Sequence, residues 1–232
     1  MLWSRNLQSS RLIEIWVGNA KKPFLVPHNL LISQAPEYFA KALDPNTFSE
    51  GKARRIDFPE DDVESWRVFL FWLFNRELPN FPIDVETAHD RGGSKLFVRC
   101  WALGDRYAVP AFQDEIMLAL MDMLKNFTVN WPPVKLAFDI TAPNSQLRRI
   151  MAEEAGENMH RGLWKDEDFK KLDGVDFTYE FIKAPKGSKT KGNERCNRFK
   201  RQKGEGGKFT YLWKSYMVGE GPKKHRIVGD TM

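Results

Sequence analysis

Residues 56–74 read IDFPEDDVESWRVFLFWLF, in which a short alternating segment leads into an almost continuous apolar run. Residues 54–58 are predicted to form a β-strand. Pro59 and the acidic residues after it predict the first turn of a helix, because the helix macrodipole favours negative charge there. That helix runs to about Asn75 and is apolar on nearly every side, which predicts a central, buried position.

The residues before this stretch predict a β-hairpin and two short helices. The hairpin consists of a strand at 11–17, a turn at 18–23 and a returning strand at 24–26. His28 begins one short helix and Pro36 the next, since proline is tolerated in a first helical turn. Residues 1–10 are expected to be flexible, and residues 48–52 are predicted to form a loop. This order of elements indicates an α+β fold class.

The residues after Asn75 predict mainly helices. Ser94 is a candidate N-cap, and Cys100 lies on the apolar stripe of the helix that follows it. The predicted helices cover residues 94–109, the stretch from Pro110 to about Leu124, residues 134–140 and residues 146–163. Residues 126–133 are interpreted as a linker or domain edge, and residues 169–182 give a mixed pattern.

The net charge of +5 is an average over two unlike parts of the chain. Residues 1–182 hold 22 Lys and Arg against 27 Asp and Glu, a net charge of −5. Residues 183–232 hold 14 Lys and Arg against 4 Asp and Glu, a net charge of +10, and are rich in glycine. We therefore predict a mildly acidic folded body followed by a mostly disordered basic tail. The basic character of the whole chain is no evidence that the body binds nucleic acid.

The composition excludes several classes of protein. Hydrophobic residues make up 42% of the 232 residues, enough for a sizeable core, and two cysteines exclude a disulfide scaffold. The apolar runs are too short for a transmembrane helix, so no membrane partner is expected. The first residues lack the apolar segment of a secretory signal. An intracellular location, in the nucleus, the cytoplasm or both, is the resulting expectation.

Catalytic motifs are not found in the sequence. The four histidines are isolated from one another, and no metal-ligand spacing or nucleophile motif is present. The glycine-rich residues 203–208 lack the spacing of a phosphate-binding loop. The start of a helix explains Asp61 and Asp62, and Cys100 is interpreted as an inert core thiol. We therefore expect no enzymatic activity, no bound metal and no cofactor.

Four stretches of the chain resemble the BTB/POZ domain, most closely the BTB domain-containing proteins common in fungi. They are residues 13–18 with 24–26, residues 35–43 (APEYFAKAL), residues 56–62 with 69–74, and residues 101–113 (WALGDRYAVPAFQ). The resemblance implies a BTB/POZ fold at 11–125, in which a short β-sheet caps a cluster of helices. It also implies a helical extension at 126–182, and it does not cover the tail at 183–232.

What the resemblance implies for function is a non-enzymatic protein–protein interaction module that acts as a dimerisation or adaptor scaffold. Phe48 and Glu50 resemble the hydrophobic-x-Glu motif with which some members bind a cullin scaffold. They are candidate partner contacts of a substrate adaptor for a cullin-type ubiquitin ligase, although Phe48 packing onto the core stays an open alternative. Self-pairing through the first strand and the first helices, with Leu12, Ile13 and Ile15 at a homodimer interface, is a further expectation of the resemblance; some members of the family are monomers.

The basic tail suggests a second function of a different class. Its candidate nucleic-acid contacts are Arg195, Arg198, Lys200, Arg201 and Lys203. The aromatic residues that follow are Phe209, Tyr211, Trp213 and Tyr216. Cations interleaved with aromatic rings can bind phosphates and stack on bases. The alternative is therefore a nuclear chromatin- or RNA-associated regulator, while a nuclear-import signal and a solvated tail without a dedicated partner also remain open.

Overall fold

The computed structural model of the chain describes residues 11–46, 49–80, 92–183, 201–203 and 209–221. These residues divide into two compact units. The first unit takes its described residues from Met1–Pro82 and Arg99–Phe112, and the second from Ile83–Val98 and Gln113–Met232. The fold combines helices with small sheets and therefore belongs to the predicted α+β class.

A three-stranded sheet forms one side of the first unit. Its strands are β1 (Leu12–Val17), β2 (Phe24–Pro27) and β3 (Arg55–Phe58), in the order β2-β1-β3. β1 pairs antiparallel with β2 and parallel with β3, so that Ile15 lies opposite both Phe24 and Ile56. Gly18 ends β1 with a φ of +47°, and a Cβ there would lie 2.7 Å from the carbonyl oxygen of Asp61. Only glycine fits this turn without strain.

Four helices of the first unit follow or connect these strands. They are α1 (His28–Gln34), α2 (Pro36–Ala42), α3 (Ser49–Ala53) and α4 (Val63–Asn75). The prediction of a loop at 48–52 is wrong for α3, where the buried Gly51 lies too close to the backbone of residues 43–45 to accept a side chain. α4 begins four residues later than predicted, because Asp62 caps it by accepting the Ser65 N–H at 2.8 Å.

Aromatic side chains fill the core of the first unit. Trp66 stacks on Phe58 with ring centroids 4.7 Å apart, and Tyr107 meets Phe58 edge-on at 5.0 Å. Phe69 makes a similar edge contact with Phe112 at 5.2 Å. The stretch at 56–74 thus packs against the stretch at 101–113, and these contacts add about 0.5–1.5 kcal/mol per aromatic pair to the burial of the rings.

The remaining helices contribute to the second unit. They are α5 (Gly92–Arg106), α6 (Pro110–Asn126), α7 (Trp131–Ile140), α8 (Gln146–His160), α9 (Asp166–Lys170) and α10 (Phe177–Lys183). α5 and α6 each supply residues to both units. α7 begins earlier than predicted, at Trp131, because its two prolines occupy the first turn, where no N–H is needed. In the part of the chain that the structure describes, no helix is both long and apolar enough to span a bilayer.

Part of the tail is ordered. β4 (Arg201–Lys203) pairs antiparallel with β5 (Phe209–Tyr211), and a 3₁₀ helix follows at Leu212–Tyr216. Trp213 is 1% exposed, and Tyr216 and Met217 are also buried. The expectation of a disordered tail is therefore wrong for residues 209–221, because this short segment has enough apolar surface to pack although the tail as a whole is polar. Residues 184–200, 204–208 and 222–232 lie outside the described residues.

Candidate protein-interaction surface

Helix α4 exposes two large aromatic side chains. Phe71 is 41% exposed and Phe74 is 49% exposed, although the helix is otherwise one of the most buried in the molecule. With Glu64 and Arg67 they form a stripe at spacings of three, four and three residues, which places all four on one helix face. The prediction of a helix buried on nearly every side is correct for the opposite face and wrong for this one.

The buried face of α4 explains why these two phenylalanines stay outside. Trp66, Phe69 and Leu73 are fully buried and fill the core of the first unit. Trp72 is also buried, and the guanidinium carbon of Arg76 lies 4.3 Å from its ring centroid. The core is therefore complete without Phe71 or Phe74. Exposed aromatic side chains that a protein's own core does not use are typical of interaction sites.

An open groove of about 640 Å³ adjoins this stripe. It lies between the β1–β2 turn and the first half of α4, and its lining residues are Asn19, Ala20, Lys21, Lys22, Pro23, Phe24, Val63, Glu64 and Arg67. Arg67 Nη1 pairs with Glu64 Oε1 at 2.7 Å. Two lysines line the groove, and Phe71 and Phe74 follow Arg67 on the same face of the helix. We call the groove together with Phe71 and Phe74 the α4 surface, which offers apolar contact beside positive charge.

The outer face of the sheet is a second exposed apolar area. Leu12 is 51% exposed, and Leu25, which lies opposite Glu14 in the register, is exposed to a similar extent. Trp16 donates its Nε1–H to Glu14 at 3.2 Å, and the Arg55 guanidinium carbon lies 4.9 Å from the Trp16 ring centroid. The outer face therefore mixes leucine side chains with a small cluster of charges.

The burial of β1 side chains contradicts two of the three predicted dimer contacts. Ile13 and Ile15 are fully buried, so their side chains belong to the core of a single chain. β1 is also the central strand, and its backbone pairs with β2 on one side and β3 on the other. A second copy therefore has no free edge of β1 to pair with, and of the three predicted residues Leu12 is the one whose side chain is exposed.

Asp61 connects three aromatic and charged neighbours just before α4. Its carboxylate accepts the Nε1–H of Trp66 at 2.8 Å and the hydroxyl of Tyr107 at 2.5 Å, and it pairs with Arg106. Burial raises the pKa of the Tyr107 hydroxyl above its ordinary value, and the hydrogen bond to Asp61 raises that pKa further. The prediction that a helix start explains both acidic residues is correct for Asp62 but not for Asp61, whose partners at residues 106 and 107 no local pattern indicates.

Two further titratable groups have a shifted pKa, the thiol of Cys100 and the imidazole of His28. Cys100 is fully buried, and burial raises the pKa of its thiol well above its ordinary value. Arg11 Nη2 lies 2.7 Å from His28 Nε2, and burial together with the charge of Arg11 lowers the pKa of that histidine. Among the described residues, no group of three or more His, Cys, Asp or Glu side chains is placed to hold a metal ion.

The remaining predicted site residues fall largely outside the described part of the chain. Phe48 lies outside it, and Glu50 is described only as backbone within α3. Of the five tail cations, three lie outside it as well, while Arg201 and Lys203 are described only as backbone of β4. These cullin and nucleic-acid contacts stay predictions.

The aromatic part of the tail hypothesis needs a correction. Trp213 and Tyr216 are buried in the second unit, so they are not free to stack on bases in this conformation. Phe209 and Tyr211 lie on β5, which pairs with β4. Two of the four aromatic residues that suggested base stacking therefore have a structural role instead.

No protein-family model matches the sequence, and no curated protein matches it. The resemblance to the BTB/POZ domain accordingly stays a prediction that depends on the four stretches that carry it.

Proposed function

We propose that this chain is a non-enzymatic protein–protein interaction module with a BTB/POZ-type domain at residues 11–125. The observation that carries the proposal is the α4 surface, where Phe71 and Phe74 are exposed on a helix whose opposite face completes the core. The short sheet packed with helices agrees with the architecture that the resemblance implies. A dimerisation or adaptor scaffold needs such surfaces and no catalytic centre.

The energetics favour a partner at the α4 surface. Full burial of a phenylalanine side chain contributes about 1.5–3 kcal/mol, so covering the exposed half of each ring contributes roughly 1 kcal/mol. Aromatic side chains surrounded by polar ones are frequent centres of binding energy. Lys21 and Lys22 at the groove favour a partner segment that places acidic residues beside an apolar anchor.

Two binding measurements on the full chain test this function. Sedimentation velocity measures self-association, and titration with a cullin N-terminal domain measures the adaptor role. We expect at least one of these interactions with micromolar or tighter affinity. If the cullin binds, the Phe48→Ala/Glu50→Ala variant should abolish that binding. A chain that stays monomeric and does not bind the cullin would overturn the proposal.

A matched pair of variants assigns the interaction to the α4 surface. The Phe71→Ser/Phe74→Ser variant should weaken the measured interaction about tenfold or more, since roughly 2 kcal/mol of apolar burial is lost. The control is Tyr179→Ser/Ile182→Ser, which removes a comparably exposed apolar pair from α10 in the second unit. Equal affinities for both variants would show that the α4 surface is not the binding site.

A further inference from the structure

Residues 212–221, which we call the C-terminal segment, pack onto the second unit through contacts far apart in sequence. Tyr216 contacts a residue 63 positions earlier in α8, and Val218 contacts a residue 104 positions earlier in α6. Trp213, Tyr216 and Met217 are all buried. The segment thus contacts α6 and α8 as a compact unit, through residues distant from it in the sequence.

Asp114 on α6 is the first anchor of the segment. Asp114 is 2% exposed, and its two carboxylate oxygens accept the backbone N–H groups of three residues of one turn. Oδ1 accepts the Val218 N–H at 2.7 Å, and Oδ2 accepts those of Gly219 at 3.1 Å and Gly221 at 2.9 Å. Hydrogen bonds to an ionised carboxylate are among the strongest in proteins. A buried carboxylate deprived of hydrogen-bond donors is costly, and in this structure the backbone of the turn at residues 218–221 supplies them.

A pair of charged residues on α8 forms the second anchor. Glu153 Oε2 accepts the hydroxyl of Tyr216 at 2.5 Å, while Glu153 Oε1 accepts Arg149 Nε at 3.1 Å. The Arg149 guanidinium carbon also lies 4.7 Å from the centroid of the Tyr216 ring. The pair therefore recognises both the hydroxyl and the face of a tyrosine, a combination that phenylalanine matches only in part.

The segment closes on itself between these anchors. Gly221 has a φ of +78°, and a Cβ there would lie 3.0 Å from Cζ3 of Trp213. The last residue of the turn thus packs on the first large ring of the segment. This internal contact defines a short recognition unit that begins with Trp213 and ends with Gly221.

We propose that Asp114, Arg149 and Glu153 form a peptide-binding site, and that the C-terminal segment fills it as a releasable, tethered ligand. The ligand is a peptide that has a tryptophan, a Tyr-Met pair whose tyrosine comes three residues later, and then a turn that contains glycine. Because the segment is covalently joined to the unit that holds the site, its effective concentration there is high, and a free peptide competes poorly with it. Weakening the tethered copy should therefore make the site accessible in trans.

The test uses the full chain and a fluorescein-labelled peptide of residues 209–221, followed by fluorescence anisotropy. The Trp213→Ala/Tyr216→Ala variant of the full chain, called the vacated chain, leaves the tethered copy with its backbone bonds to Asp114 but without its two buried rings. The labelled peptide keeps both sets of contacts and should displace that copy, so the variant should bind the peptide at least about tenfold more tightly than the unmodified chain. Adding Asp114→Asn to the vacated chain should weaken binding about tenfold or more, since charge-assisted hydrogen bonds are lost. Adding Asp122→Asn instead, at an exposed position of the same helix, is the matched control.

Three results would overturn the proposal. The vacated chain could keep its far-UV circular dichroism and thermal transition yet bind no peptide. It could bind the peptide equally well with Asp114→Asn. It could also unfold, which would make the segment an integral part of the core.

Native-state hydrogen exchange on the unmodified chain is an independent test of whether the segment is released. A releasable segment requires that the amides of Val218, Gly219 and Gly221 exchange through a local opening, with lower protection than the amides of α8. Exchange of these three amides only through global unfolding would contradict the proposal. Lower protection of the three amides, with α8 remaining protected, would support it.

Discussion

Single carboxylates carry much of the specific structure of this molecule. Asp62 caps α4, Asp61 joins the start of α4 to the end of α5, and Asp114 holds a backbone turn. Sequence analysis could predict only the first of these roles, because a cap depends on residues three positions apart. The other two depend on partners 45 to 107 positions away, which one sequence does not reveal.

The Asp61→Ala substitution should lower the free energy of unfolding by about 2 kcal/mol or more, because it leaves the buried Trp66 N–H and Tyr107 hydroxyl without their acceptor. Urea denaturation monitored by tryptophan fluorescence measures the loss. Glu60→Ala, one residue earlier and exposed, is the control and should change stability by less than about 0.5 kcal/mol. Similar losses for both variants would contradict the role assigned to Asp61.

Tyr107 predicts a specific dependence of stability on alkaline pH. Its pKa is raised in the folded chain, so the folded state holds the hydroxyl proton more tightly than the unfolded state. The resulting stabilisation is fully present below the unfolded pKa of about 10 and is lost as pH rises toward the folded pKa. Denaturation at a series of pH values should show a shallower alkaline decline for Tyr107→Phe than for the unmodified chain. An identical decline would contradict the assignment.

At the scale of elements, the sequence predicts where most strands and helices lie, but it does not predict which of their apolar side chains are exposed to solvent. The hairpin, β3 and α4 follow from alternation and from apolar periodicity, which are local properties. Whether Phe71 faces the core or solvent depends on what packs against α4, and its apolar pattern is the same in either case. The sequence does not predict α3 or the 3₁₀ helix, because a buried glycine holds the first and long-range contacts of residues 212–221 hold the second, rather than strong local propensity.

The two faces of α4 should respond differently to substitution. Phe71→Ser/Phe74→Ser should lower the free energy of unfolding by only about 1 kcal/mol per residue, since about half of each ring is already exposed to solvent. Phe69→Ala on the opposite face should cost about 3–5 kcal/mol through the cavity that it leaves. Chemical denaturation of the purified variants measures both. A large loss for the serine variant would mean that Phe71 and Phe74 stabilise the fold rather than form an exposed surface.

At the scale of the whole molecule, the change in net charge along the sequence does not coincide with the end of the folded second unit. The composition changes at about residue 183, yet residues 209–221 return to the second unit. In the sequence, the basic residues 195–203 therefore come between α10 and β5, two elements of the same unit. Composition could predict that this part of the chain is basic, but the return of the segment depends on Asp114, Arg149 and Glu153.

Replacing Arg195, Arg198, Lys200, Arg201 and Lys203 with glutamine should lower the salt concentration at which the full chain elutes from a heparin column. The reason is that binding to a polyanion releases counterions in proportion to the cations engaged. Lys21→Gln/Lys22→Gln, at the groove of the first unit, is the control and should elute nearly as the unmodified chain does. Elution at an unchanged salt concentration for the five-residue variant would contradict polyanion binding by these residues. It would also weaken the nucleic-acid alternative.

The central position of β1 has a consequence for the order of folding during synthesis. Its antiparallel partner β2 follows within a few residues, and such a hairpin closes in about 1–10 μs. Its parallel partner β3 is made about forty residues later, so one edge of β1 stays unpaired while that length of chain is translated, a matter of seconds at about 5–20 residues per second. An unpaired strand edge is a template for aggregation. Nascent chains that stop before residue 58 should therefore be the most aggregation-prone form of this protein.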